Sequence, residues 1–122
     1  MAEVKPFRGL RYAQRVGASL TDLICPPYDV ISPAQQQALE ARSPHNAVHI
    51  ELPRGDGDAP YQNAASLFAR WQQEGVLARD DAPSYYLTRH TFTHGIRTTA
   101  RWGLTAAVRV ALPPTLAQPA PV

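Results

Sequence analysis

Hydrophobic side chains between residues 60 and 74 recur every three or four positions, the spacing that places them on one face of a helix. The set comprises Tyr61, Ala64, Ala65, Phe68 and Trp71. Pro60 suits the first turn of a helix, and Gly75 suits the left-handed position that follows the last turn. The pattern therefore predicts a helix over 60–74 that buries its aromatic face.

A second, shorter helix is predicted over residues 33–42. Ser32, Pro33 and Gln35 satisfy the rules for an N-cap, for proline in the first turn and for a capping box. The following alanine, glutamine, leucine and glutamate residues favour helix until Ser43-Pro44, where the proline ends it.

Two other regions alternate hydrophobic and polar residues, which is typical of strands with one buried face. The first is 47–52, and the second comprises 84–93 and 96–110, for which the pattern predicts a β-hairpin. We expect His94-Gly95 to form its two-residue turn. In that register Leu87 lies opposite Trp102, Tyr85 opposite Leu104, and the Tyr86 ring covers Gly103.

These elements predict an α+β fold, in which a small mixed or antiparallel sheet with a C-terminal β-hairpin is covered by two or three helices. The sheet should include 47–52, and the domain should span 1–111. Residues 112–122 hold four prolines and no charge, so we expect a disordered tail. The expected core comprises Trp71, Phe68, Leu67, Trp102, Leu104, Val108 and Ile50.

Composition narrows the function classes. The chain has 122 residues, a net charge of +2 and one cysteine. So small a charge gives only a weak field for nucleic acid or anionic lipid, and one cysteine excludes an internal disulfide. No apolar run approaches the about 20 residues that a membrane helix needs, and the N-terminus lacks the apolar segment of a signal peptide. We therefore expect a cytoplasmic protein without a membrane segment.

The segment from Cys25 to Asp29 carries the best candidate chemistry. Pro26 and Pro27 restrict the backbone to extended geometry, so the chain presents Tyr28 and Asp29 on a rigid arm. A carboxylate so placed suits ligand hydroxyls or proton transfer. The alternative is that Asp29 caps a local turn while Tyr28 packs its ring. Cys25 has no base or cation beside it in the sequence, so we interpret it as a structural thiol.

Histidines and arginines give weaker signals. The spacing of His45, His49, His90 and His94 matches no metal-binding motif, and we predict no metal site. Arg97, Arg101 and Arg109 form a stripe on the outer face of the predicted hairpin. A solvated face is the favoured interpretation of that stripe, and a nucleic-acid surface is the alternative.

Several segments resemble, in order and with natural spacing, the N-terminal part of a bacterial family known as DUF1015. The resemblance covers about residues 1–110 and includes Glu3-Val4-Lys5-Pro6-Phe7-Arg8-Gly9-Leu10-Arg11-Tyr12, Pro26-Pro27-Tyr28-Asp29-Val30-Ile31-Ser32-Pro33, Arg42-Ser43-Pro44-His45-Asn46 and Arg101-Trp102-Gly103-Leu104. It implies a longer protein, of which this chain is a fragment. Members typically carry, further along, an Asp-Gly-His-His-Arg motif similar to one in ParB-like proteins and a free-serine kinase.

The resemblance implies a protein of unknown biochemical function. We hypothesise that the chain contributes Tyr28, Asp29, Asn46 and Arg101 to a small-molecule, nucleotide or phosphate-binding site, without cofactor or catalytic residue of its own. The first alternative is part of a ParB-like kinase for a small serine-type metabolite, which we do not expect to be active here because the sequence has no His-His pair. The second is weak, non-specific nucleic-acid binding. We also expect the fragment to self-associate through its C-terminal strand.

Overall fold

The computed structural model describes residues 2–16 and 19–111, so the predicted tail at 112–122 lies outside the described residues. The described part has four α-helices and six strands. In chain order they are β1 (Val4–Lys5), β2 (Leu10–Tyr12), α1 (Leu20–Leu23), α2 (Pro33–Arg42), α3 (Val48–Glu51), α4 (Ala59–Gln73), β3 (Leu77–Arg79), β4 (Tyr86–His94), β5 (Arg97–Thr105) and β6 (Ala107–Val108). The predicted α+β fold class is confirmed.

The chain divides into two compact units. Leu10–Arg79 form one, which we call the helical unit, and the other comprises 2–9 and 80–111 within the described residues. We call the second the hairpin unit, because β4 and β5 dominate it. Each is described below by itself.

Both predicted helices form where expected in the helical unit. At the start of α2, the Ser32 hydroxyl accepts from the Gln35 amide at 3.2 Å, while Gln35 Oε1 accepts from the Ser32 amide at 3.0 Å. This reciprocal capping box satisfies two backbone donors that the first helical turn leaves unpaired. α4 ends before Gly75, which adopts the expected left-handed conformation at φ 75°.

The core of the helical unit is small and comes mainly from the helices. Its buried hydrophobic residues are Leu23, Leu39, Val48, Trp71 and Val76. The prediction for Trp71 is confirmed, and the Trp71 ring packs against Tyr12 and His45 with centroids 6.2 and 5.7 Å apart. The core prediction is wrong for Phe68 of the helical unit, whose side chain is exposed. It is also wrong for three exposed residues of the hairpin unit: Trp102, Leu104 and Val108. Leu67 and Ile50 are half-buried.

The predicted strand at 47–52 is wrong, since these residues form the single turn of α3. The Asn46 side chain begins it by accepting from the Val48 amide at 2.9 Å, a local contact typical of asparagine at the start of turns and helices. Six residues are too few to separate a two-residue period from one helical turn. The alternation of Val48 with Ile50 therefore gave a misleading signal.

The predicted β-hairpin is confirmed, but its register is not. His94 pairs with Arg97, so Gly95 and Ile96 form the turn in place of His94 and Gly95. Gly95 has φ 63°, and no described non-glycine residue has positive φ. A type II′ turn requires glycine at its first central position, which explains the shift by one residue. Leu87 consequently lies opposite Leu104, and Thr88 opposite Gly103.

Both ends of the hairpin pair with the N-terminal segment of the hairpin unit. Val4 in β1 pairs with Val108 in β6, and Phe7 forms a bridge with Ser84. These pairings end the hairpin ladder at Tyr86 and Thr105, earlier than the sequence predicts. The side chains expected on a buried face stay exposed, Leu87 by 71% and Trp102 by 65%. Alternation here marks an amphipathic hairpin that the described residues leave uncovered.

Candidate functional site

A rigid segment, residues 24–28, leaves the end of α1 and is called here the proline arm. Pro27 has φ −55° and ψ 144°, and Ile24 is extended as well, as the two prolines predict. The arm ends in a 3-10 turn over Tyr28–Val30, in which the Val30 amide donates to the Pro27 carbonyl at 3.1 Å. This backbone geometry restricts where the Tyr28 side chain can lie within the helical unit.

Tyr28 lines a pocket of about 440 Å³ that we call the tyrosine pocket. Its walls are formed by Tyr28, Glu51, Leu52, Pro53, Gly57, Pro60 and Tyr61. Glu51 is the last residue of α3, and Tyr61 lies in the first turn of α4. Three separate elements thus bring two phenols and one carboxylate to the same cavity.

An ion pair secures the loop that forms one wall of this pocket. Arg54 binds Glu40 of α2, and their two shortest contacts are Nε to Oε2 at 2.9 Å and Nη2 to Oε1 at 2.8 Å. The Arg54 carbonyl also accepts from the Asn63 side chain of α4 at 3.0 Å. The hydrogen bond from Arg54 lowers the pKa of the Glu40 carboxyl below its ordinary value. Arg54 therefore links the loop between α3 and α4 to two helices, α2 and α4.

The polar groups of the tyrosine pocket are available to a ligand. Neither the Tyr28 nor the Tyr61 hydroxyl hydrogen-bonds to a described residue, and Glu51 has no ion pair with one. Leu52, Pro53 and Pro60 supply apolar walls. Small-molecule sites commonly combine apolar walls with a few polar groups that fix orientation. A free carboxylate beside two phenols favours hydroxyl donors and cations, and it disfavours phosphate.

The other sequence-derived candidates in the helical unit lie outside this pocket. Asp29 is exposed within the 3-10 turn, and no ion pair or side-chain hydrogen bond joins it to a described residue. Asn46 is fully buried, and its amide nitrogen donates to the carbonyls of Asp22 and Ile24 at 2.8 and 3.1 Å. Together with its bond to the Val48 amide, these contacts engage the whole Asn46 amide with backbone. They give Asn46 a structural role, joining α1 to α3.

Cys25 lines a second pocket, of about 480 Å³, between the proline arm and α2. Burial, and then the negative charge of Glu51, raise the pKa of the Cys25 thiol. A thiol with a raised pKa stays protonated near neutral pH, so it is a poor nucleophile. The interpretation of Cys25 as structural agrees with this environment.

The histidines of the helical unit have packing partners. His45 stacks edge-on against Trp71, and its carbonyl accepts from the Tyr12 hydroxyl at 2.7 Å. Burial, and then the charge of Cys25, raise the pKa of Tyr12 to about 12, which keeps that hydroxyl a donor.

A ring nitrogen of His49 lies 3.1 Å from the Ser43 carbonyl. Within 2–16 and 19–111, no cluster of three or more histidine, cysteine, aspartate or glutamate residues is placed to hold a metal.

A family model described as "Protein of unknown function (DUF1015)" matches residues 4–114. The chain belongs to the DUF1015 family. No curated protein and no solved structure matches it significantly. Among the described residues, no helix has the length and apolar character needed to cross a membrane.

Two residues of the tyrosine pocket were not predicted as site residues of this DUF1015 chain. Tyr61 shares the helical periodicity of Trp71, and the alternation along 47–52 predicts Glu51 on the polar side of a strand. No local signal distinguishes such a tyrosine from a core residue. Arg101, the fourth predicted ligand-binding residue, lies exposed on β5 in the hairpin unit, opposite His90.

Proposed function

We propose that this DUF1015 domain binds a small molecule carrying hydroxyl or amino groups in the tyrosine pocket. The observation that carries the proposal is the convergence of Tyr28, Glu51 and Tyr61 on one cavity of about 440 Å³. Tyr28 and Tyr61 are 61% and 75% exposed, so their rings contribute little to the core. Side chains that are exposed, unpaired and convergent are better explained by a ligand than by stability.

The charge of the pocket determines which ligands fit. Glu51 is its only charged lining residue among those described, so an ammonium group would gain an ion pair there. A phosphate would meet the same carboxylate at close range and be repelled. The negative charge of Glu51 therefore favours a cationic or neutral small molecule over the phosphate that the sequence-based hypothesis also allowed. Nothing in the described residues favours the kinase alternative, which stays an expectation of the resemblance alone.

Titration followed by amide NMR shifts tests the proposal. Ethanolamine, which carries one cation and one hydroxyl, is the probe, and glycerol phosphate is the matched anion. We expect ethanolamine at millimolar concentration to shift the amides of Tyr28, Gly57 and Tyr61, and glycerol phosphate to leave them unchanged. Glu51→Gln should weaken ethanolamine binding about tenfold, the loss expected for one charge-assisted hydrogen bond.

Asp81→Asn is the control, because Asp81 is exposed, lies outside the pocket and loses the same charge. Asp29→Asn removes the carboxylate of a site residue predicted from the sequence that lies outside the pocket. It should leave the melting temperature nearly unchanged. If ethanolamine shifts are absent or spread over the surface, or if glycerol phosphate shifts the pocket amides equally, the proposed site is wrong.

A further inference from the structure

Acidic and basic residues are unevenly distributed along the chain. No aspartate or glutamate follows Asp81, whereas four arginines do: Arg89, Arg97, Arg101 and Arg109. The overall charge of +2 conceals this separation, because every acidic residue lies in the first 81 positions. The hairpin β4–β5 is therefore free of acidic side chains. Charge asymmetry of this kind is typical of surfaces that bind polyanions.

The observed register gathers cationic and aromatic groups on one face of the hairpin. His90 lies directly opposite Arg101, His94 opposite Arg97, and Phe92 lies between them opposite Thr99. Directly opposed residues of an antiparallel pair point to the same side. We call this set, His90, Phe92, His94, Arg97 and Arg101, the basic face. All five side chains are exposed, and no described residue forms an ion pair with Arg97 or Arg101.

The opposite face of the hairpin has a different character. It carries Leu87, Trp102 and Leu104, with the Arg89 guanidinium 5.7 Å from the Trp102 ring centre. The opposite face thus combines one arginine with three large apolar side chains, whereas the basic face combines two arginines with one aromatic ring. A face that binds a membrane needs cationic groups together with several apolar side chains, since apolar insertion and electrostatic attraction act together there. The basic face offers charge with one aromatic ring, which does not fit a lipid surface.

We propose that the basic face binds single-stranded nucleic acid, with phosphates at Arg97 and Arg101 and a base stacked on Phe92. Arginine guanidinium groups match phosphate oxygens, and base stacking on aromatic rings needs no particular sequence. The two arginines are four positions apart, which places them about 14 Å apart along β5 with the Phe92 ring between. This surface lies in the hairpin unit, is independent of the tyrosine pocket, and replaces the solvated-face interpretation of the arginine stripe.

Fluorescence anisotropy of the 122-residue chain with labelled 20-nucleotide strands tests the proposal. Oligo(dT) and oligo(rU) are the probes, each measured at several salt concentrations between 50 and 200 mM. We expect both to bind at 50 mM salt, with affinity falling steeply as salt rises. Arg97→Gln and Arg101→Gln should each reduce the slope of log affinity against log salt by about 0.7, the contribution of one phosphate contact on a single strand.

Phe92→Ala should weaken binding at least about fivefold, by removing the stacked base. Arg89→Gln is the matched control: it removes the same charge from the same hairpin, on the opposite face, and should leave the salt slope unchanged. Because these side chains are exposed, the variants should keep the melting temperature of the parent chain.

Four outcomes would overturn the proposal. They are the absence of binding at 50 mM salt, an equal loss in Arg89→Gln and Arg101→Gln, equal affinity for a duplex of the same length, and stronger binding to phosphatidylserine vesicles. The last outcome would make the hairpin a lipid-binding element. None of them bears on the tyrosine pocket, so the two proposals fail independently.

Discussion

Trp71 in the helical unit is 2% exposed, whereas Trp102 in the hairpin unit is 65% exposed, although both belong to clear amphipathic patterns. Trp71 meets Tyr12 from β2 and His45 from the loop before α3. Trp102 meets only Arg89 from the paired strand among its ring contacts in the described residues. An amphipathic pattern therefore shows which face is able to be buried. Whether it is buried depends on elements elsewhere in the chain that supply a partner.

Replacing the two tryptophans tests this comparison most strongly. Trp71→Ala should lower the free energy of unfolding by about 3–5 kcal/mol, since it leaves a cavity among buried rings. Trp102→Ala should change it by less than about 1 kcal/mol at low protein concentration, because that ring lies in solvent in the single chain. Urea denaturation of both variants gives the two values.

If Trp102→Ala lowers stability by more than expected, the dependence of that loss on protein concentration shows its cause. The expected self-association would cover Trp102 with a second copy, and its replacement would then lower stability more at high than at low protein concentration. A large cost that is independent of concentration would contradict the exposed position of Trp102. Light scattering across a dilution series measures the association directly.

Asn46→Ala is the next largest expected effect. Its removal leaves the Asp22 carbonyl, the Ile24 carbonyl and the Val48 amide without their side-chain partner. Burying such unpaired groups should cost about 2–4 kcal/mol. Asn63→Ala is the control, because exposed Asn63 makes one bond to the Arg54 carbonyl and should cost under about 1 kcal/mol. Equal losses in thermal or urea unfolding would refute the structural role of Asn46.

Gly9→Ala tests a tightly packed polar cluster of the hairpin unit. The Tyr86 hydroxyl accepts from the Gly9 amide at 2.7 Å and donates to the Asp80 carboxylate. A Cβ at position 9 would lie 2.7 Å from that hydroxyl oxygen, so the substitution should cost about 1–3 kcal/mol. In a Tyr86→Ala background the same change should cost much less. Additive losses in this double-mutant cycle would show that Tyr86 does not restrict position 9.

The Glu40–Arg54 pair should give the smallest effect. Because the folded pKa of Glu40 is lowered, the pair contributes stability above the unfolded pKa and loses it as pH falls through the folded value. The contribution should be small, because the Arg54 side chain lies largely in solvent, which screens the pair. Glu40→Gln should therefore lower stability near pH 7 and converge with the parent chain as the pH falls below the lowered folded pKa of Glu40. A constant difference across that range would exclude a charge-dependent contribution.

Several features were predictable because their causes are local. The capping box at Ser32 places the start of α2, and the proline arm is extended because proline restricts the backbone of its neighbours. Tyr28 was identified as a candidate for the same reason. Its pocket partners Glu51 and Tyr61 were not, because three separate elements bring them together.

The sequence by itself determined the two long helices, the existence of the hairpin, the extended arm and the DUF1015 family. Each of these depends on residues within a few positions of one another, or on segments that match in order. Only the tertiary structure decided that 48–51 forms a helical turn, that Asn46 is buried, and that Tyr86 packs against Gly9 in place of Gly103. It also left Trp102 exposed. The physical reason is that burial and hydrogen-bond partners come from distant segments, whose positions no local pattern specifies.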